Sequence, residues 1–334
     1  MNNFKIRCTL LAVIAATTAC ISLPAFASRE KPIIGFSIDD LAVERWARDR
    51  DYFIAAAKDL GAEVIVQSAD GDVAKQVSQI ENLISKKVDA IVVVPKDAPT
   101  LFNVLKEAKK AGIKVISYDR VVLSPDVDLW VTFDNVRVGA MQGEALVKAL
   151  PKGRVYVLKG DPGDANAKMF NAGAMKAMEP YIKSGDIKIL GEQSVRDWSP
   201  SNALKITENV LTQFGNKIDG VLAPNDGTAG GVIQALAGQK MAGKVPVTGQ
   251  DAELAAVKRI AAGTQLMTVY KSLRKLATES AKMTVALIKG EPLPHPTIKV
   301  QGVDTMQLDP VVVTKENIDL LVKDGFYTKE QLGL

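Results

Sequence analysis

Cysteine and histidine are almost missing from this chain, and the few present sit where they can do little chemistry. Among 334 residues the two cysteines are Cys8 and Cys20, and the single histidine is His295. Both cysteines fall in residues 1–27, which read as a cleaved signal peptide. Lys5 and Arg7 precede an apolar run from about Leu10 to Ile21, and Ala25-Phe26-Ala27 forms a small-x-small site before Ser28. The run is shorter than the ~20 residues a membrane span needs. Thr17-Thr18-Ala19 is a poor lead-in for lipid attachment at Cys20. A chain cut before Ser28 therefore has no disulfide, thiolate nucleophile or cysteine metal site. His295 lies between Pro294 and Pro296 in a loop-like stretch. Ser-His-Asp, Cys-His and histidine-rich metal arrangements are excluded with it, so the sequence offers no catalytic residues, no metal site and no cofactor.

Nucleotide motifs are missing as well. No two of the 25 glycines are separated by one residue, so G-x-G-x-x-G cannot occur. GQKMAGK at 238–244 nearly matches a phosphate loop, but Val245 replaces the Ser/Thr that would hold magnesium, and the stretch precedes a strand instead of following one. There is no charge excess either. Removing Lys5 and Arg7 from 42 basic residues leaves 40 against 38 acidic ones, or +2. Neither nucleic acid nor an anionic membrane is implied as a partner.

What is there is a repeated α/β pattern. From Lys31 onward, apolar strands (PIIGFSI, EVIVQSA, AIVVVP, KVISYD) alternate with amphipathic helical stretches. Near-continuous apolar strands indicate a parallel sheet covered on both faces. The design then recurs after Asp134 with RVYVLKG, IKILGEQ, GVLAPN, VPVTGQ and a strand at 266–270. At closer range, VDAIVVVPKDA leads to AGIKVISYDR just as IDGVLAPNDGT leads to AGKVPVTGQDA. The echo sets Asn225 and Asp251 at strand ends equivalent to those at 95–97 and at Asp119. The fold expected is two doubly wound, Rossmann-like lobes with parallel sheets.

In such sheets ligands bind beyond the carboxyl ends of the strands. The polar residues there suit a neutral polyol. Asp119, Asp164 and Asp251 accept, Arg45, Arg120 and Lys271 donate, and Asn166 and Asn225 do both. Trp198, in a loop after a strand, can lay its face on the C–H side of a pyranose. Each has a plainer reading: Asp119 with Arg120, or Arg45 with Asp49, as surface pairs; Asn225 as a helix cap; Trp198 or Trp46 as core. Asp70 is expected in a loop away from the cleft.

Over essentially the whole chain after residue 27, the sequence resembles the periplasmic sugar-binding proteins of ABC importers, of the ribose-binding type. The matching stretches include IDDLAVERWARDRDYF, YDR, DANAK, NDGTAGG, GQDAELAAVKRIAAGTQ and TVYK. The resemblance implies a type I periplasmic binding fold, a three-crossing hinge near Asp134, Tyr270 and Asp309, and closure of the lobes on the ligand. It implies an N-terminal lobe of 28–134 plus 271–308 and a C-terminal lobe of 135–270 plus 309–334. Arg45, Asp119, Arg120, Asn166, Trp198, Asn225, Asp251 and Lys271 become sugar ligands, with Asp164 a possible addition. The expected ligand is D-xylose or a related pentose or hexose. The expected partners are the membrane subunits of an importer, with a chemoreceptor or a histidine-kinase sensor as the alternative, and the chain is expected to act as a periplasmic monomer.

Overall fold

The computed structural model describes residues 31–333, so the segment expected to be a signal peptide, with Cys8 and Cys20, lies outside the described residues. In chain order the first part contains β1 (Ile33–Ile38), α1 (Glu44–Asp59), β2 (Glu63–Ser68), α2 (Val73–Ser85), β3 (Ala90–Val93), α3 (Phe102–Lys110), β4 (Lys114–Tyr118) and β5 (Leu129–Phe133). The second part contains α4 (Asn135–Ala149), β6 (Gly153–Lys159), α5 (Ala165–Lys183), β7 (Ile187–Ser194), α6 (Pro200–Gln213), β8 (Gly220–Leu222), α7 (Asp226–Gly238), α8 (Leu254–Ala261) and β9 (Thr268–Tyr270). The chain finishes with α9 (Leu273–Lys289), β10 (Ile298–Val300), β11 (Val303–Leu308), β12 (Val311–Val313), α10 (Asp319–Lys323) and α11 (Lys329–Leu332).

A seven-stranded sheet runs in the order β10-β11-β5-β4-β3-β1-β2, parallel except for the β10–β11 pair. Its central strands are buried on both faces, as the unbroken apolar runs require. Under one face, Phe36 on β1 lies 4.8 Å from Phe53 of α1 and 5.4 Å from Tyr118 of β4, centroid to centroid. This packing fixes α1 against β1 and β4. A second, parallel sheet has the order β7-β6-β8. Against it α4 and α5 cross at glycines: a Cβ on Gly139 would stand 1.8 Å from the Phe170 carbonyl oxygen, and one on Gly173 2.0 Å from that of Val136. Only hydrogen at these positions allows the backbones to approach so closely.

Several elements differ from the sequence expectation. VPVTGQ is not a full strand but a single bridge, Val221 to Val247, because Pro246 has no N–H to give a ladder. The strand expected at 266–270 shrinks to β9 and pairs antiparallel with β12, outside the parallel sheets. The sequence pattern passed over α8 and the β10–β11 hairpin. That hairpin is turned by Gln301 and Gly302, both at positive φ (49° and 89°), without the Asn-Gly or Asp-Gly that advertises such a turn. Helix α4 starts at Asn135, with Asp134 accepting from the Arg137 N–H at 2.9 Å. The apolar periodicity shows itself only from Val138.

Candidate functional site

The carboxyl ends of the first-half strands supply one wall. Asp39 follows β1, Asp119 and Arg120 follow β4, and Arg45 and Trp46 open α1. Asp119 takes φ +56°, a conformation acids tolerate better than most residues, and this turns the chain out of the strand. Its backbone oxygen then accepts from Trp130 Nε1 (2.7 Å), Thr132 Oγ1 (2.8 Å) and Asn166 Nδ2 (2.9 Å). The carboxylate is left to meet Arg45, NH2 to Oδ2, at 2.8 Å. Burial alone would raise its pKa, but Arg45, Lys271 and Arg120 hold it below the ordinary carboxylate range.

The second half supplies the facing wall. Asp164 caps α5, accepting from the Asn166 N–H at 2.9 Å, and reaches Arg120 Nε at 2.9 Å. Burial pushes the Asp164 carboxyl upward against the pull of Arg120. Asp251 sits 2.8 Å from Lys271 Nζ and 3.4 Å from Arg45 NH1. Asn225 caps α7, its Oδ1 accepting from the Thr228 N–H (3.0 Å) and hydroxyl (2.7 Å). Its Nδ2 makes no hydrogen bond among the described residues. Trp198 packs its ring 6.4 Å from that of Phe170 and lies directly over Gly160, where a Cβ would come within 2.1 Å of the indole.

These groups line one small cavity, formed by Arg45, Asp119, Arg120, Asp164, Trp198, Asn225, Asp251 and Lys271, together with Val43, Trp46, Phe170 and Gln250. Asn166 stands one step back and ties the two walls together through Asp119. Trp46 reads from the sequence as a core residue, yet it lines the cavity, and the guanidinium carbons of Arg45 and Arg120 lie 4.4 and 5.3 Å from its ring. Its position next to Arg45 in ERW was the available signal. Phe170, four residues after Asn166 on α5, was missed in the same way. Asp39, which accepts from Arg120 NH1 at 2.5 Å, was missed although it follows a strand.

Neither Asp119 with Arg120 nor Arg45 with Asp49 is a surface pair. All four residues are buried. Asp70 also departs from expectation, lining a wide depression at the mouth of the cleft with Lys96, Asp197, Asn225 and Glu253.

Removing this many ions from water is costly, and apolar side chains of similar volume would commonly hold a fold at least as well. Such a cluster is better explained by a ligand. Around the cavity Trp46 Nε1, Trp198 Nε1, Asn166 Oδ1 and Gln250 Oε1 are buried with no hydrogen-bond partner among the described residues, and such groups suit a ligand that offers hydroxyls. Among the described residues no group of three or more His, Cys, Asp or Glu is placed to hold a metal ion.

Residues 34–292 match the family model of the periplasmic binding protein domain, and the chain belongs to that family. Within it, the chain is 50% identical over 303 residues to the D-xylose-binding periplasmic protein of Escherichia coli (strain K12), covering 90% of this chain and 92% of that one. It is 46% identical over 333 residues to the D-xylose-binding periplasmic protein of Haemophilus influenzae, covering 98% and 99%. A crystal structure of an ABC transporter solute-binding protein from Clostridium phytofermentans with bound β-D-glucose superimposes with TM-score 0.83 at 34% identity, covering 90% of this chain and 99% of that one. The fold is that of the type I periplasmic sugar-binding proteins.

Proposed function

We propose that this chain captures D-xylose between two lobes and delivers it to the membrane subunits of an ABC importer, acting as a binder and not an enzyme. One observation carries the reading. Three buried cations and the carboxylates that neutralise them converge from both halves of the chain on a single small cavity flanked by two indoles. A sugar hydroxyl donates and accepts at once, so paired ions can each give or take a charge-assisted hydrogen bond while the ligand itself stays neutral.

The lobes proposed are 28–134 plus 271–308 and 135–270 plus 309–334. Strand membership supports this division: β10 and β11 rejoin the seven-stranded sheet, and β12 pairs with β9. The sugar ligands proposed are the eight residues named from the sequence together with Asp164. The chain is proposed to be a monomer in the periplasm beginning at Ser28 after signal cleavage. Intact mass of the exported protein tests that start, and a diacylglyceryl group on Cys20 would contradict it.

Titration calorimetry with a panel of pentoses and hexoses tests the function. One D-xylose per chain, bound more tightly than the other sugars and recovered unchanged, is expected. Binding of a different sugar alone, or turnover of xylose, would overturn the reading.

A further inference from the structure

Asp49 lies on α1 one turn after Arg45 and is 0% exposed. It does not line the cavity. It accepts from Arg45 Nε at 3.0 Å and from Arg45 NH2 at 3.4 Å, and its other neighbour is the Tyr118 hydroxyl, which donates to Oδ1. Tyr118 is also fully buried, wedged against Phe36 and Phe53. The guanidinium is thus held on its inner edge by a carboxylate that is itself held by a phenol locked in the core.

We propose that Asp49, fixed by Tyr118, is a positioning residue that sets the Arg45 guanidinium in its binding orientation before ligand arrives. The reason lies in where the partners come from. Asp49 and Arg45 share α1, and Tyr118 ends β4, so all three belong to the half built on the seven-stranded sheet. Asp251 reaches Arg45 only from the other half. An arginine has five N–H donors in a rigid plane. With the Nε edge committed to Asp49, the remaining donors have one direction left, toward Asp119 and the cavity. Without Asp49 the long side chain regains its rotamers, and that freedom must be given up each time a ligand binds.

The inference rests on the sugar-binding reading for its affinity readout and has a second readout that does not. In ligand-free, isotope-labelled protein, Arg45 Nε–H should give a sharp signal in slow exchange with water, broadened or lost in Asp49→Ala. By calorimetry with xylose, Asp49→Ala should bind about tenfold or more weakly. Asp49→Asn, which keeps a neutral acceptor, should fall between it and the parent. In an Arg45→Ala background the further change Asp49→Ala should alter affinity by less than about twofold, because two residues acting as a unit are not additive.

An equal loss in both backgrounds would make Asp49 merely structural and overturn the proposal, as would an Asp49→Ala protein with parental affinity and an unchanged Arg45 signal. If Asp49→Ala does not fold, Tyr118→Phe decides. A loss of about threefold that vanishes in the Arg45→Ala background supports the proposal, and no loss overturns it. A parent protein that binds no sugar would defeat the functional reading while the Arg45 signal still decides this one.

Discussion

Asp119 and Asp251 hold equivalent places in the two halves of the chain. Both have positive φ (+56° and +93°), and their backbone N–H groups donate to Val131 and Val269 oxygens at 2.9 Å in each case. Their carboxylates grip the same guanidinium, Arg45, at 2.8 and 3.4 Å. The repeat therefore places two matching acids on opposite sides of one cation.

Adding saturating xylose to the sugar-free protein should lower its radius of gyration in small-angle X-ray scattering. Much of what joins the halves across the cleft is polar: Arg120 to Asp164, Arg45 to Asp251, Asn166 to the Asp119 oxygen. Without a ligand to complete that set, the open form competes well. An unchanged radius would contradict closure.

Lys96 and Asp197 pair across the cleft mouth at 2.7 Å, with side chains 12% and 63% exposed. An ion pair with one end in solvent is worth at most about 1 kcal/mol. Lys96→Met should accordingly raise the xylose dissociation rate no more than about fivefold, with the effect shrinking in high salt. Stopped-flow tryptophan fluorescence can follow this, since Trp46 and Trp198 line the cavity. A fiftyfold change would mean that Lys96 touches the ligand.

Gly160→Ala should weaken xylose binding while the fold survives. The added methyl would meet the Trp198 ring at 2.1 Å, and Trp198, at φ +51°, has little backbone freedom to retreat. A loss of tenfold or more, accompanied by a shifted tryptophan emission, is expected. Parental affinity with unchanged emission would show that the indole face is not used.

Much of this site was legible in the sequence because strand-end residues announce themselves. An apolar run broken by YDR or GQD leaves the acid nowhere to go but the crevice. Asn225 proved to be a helix cap and a cavity residue together, two readings that had stood as alternatives. Residues acting from helices were harder to see. Trp46, Phe170 and Asp49 satisfy a 3.6-residue apolar or ion-pair pattern as well as any core or surface residue would, and only the docking of α1 and α5 onto the strand ends separates these meanings. The bridge at Val247 and the β10–β11 turn were illegible for a different reason, since long-range pairing decided them against weak local signals.

Stability should fall as pH rises from 5 to 9. Burial, then Asp226, Asp251 and Glu44, push the Glu253 carboxyl up to about 9. Burial likewise pushes Asp226 up to about 7, although Thr268 and Gln265 donate to it. Unfolded carboxyls titrate near 4. Between about pH 4 and these folded values the native state holds protons that the unfolded state has released, so stability is greatest at the low end and declines until both groups ionise. Melting temperatures across the range check this. Glu253→Gln should flatten the decline and be the more stable protein at pH 9, and an unchanged slope would show that Glu253 is not the cause.

The most direct test compares xylose binding by the parent with binding by Asp119→Ala and Asp251→Ala in the calorimeter. Each variant removes a charged acceptor from one wall and leaves a ligand hydroxyl unpaired in a desolvated site, which costs ~1.5 to 3 kcal/mol. That is a loss of about tenfold to 150-fold from either side. Asp319→Ala, an exposed acid paired with Lys323 on α10, should bind as the parent does. If Asp119→Ala and Asp251→Ala both bind xylose within twofold of the parent, the sugar is not held between these two acids, and the site assigned here is wrong.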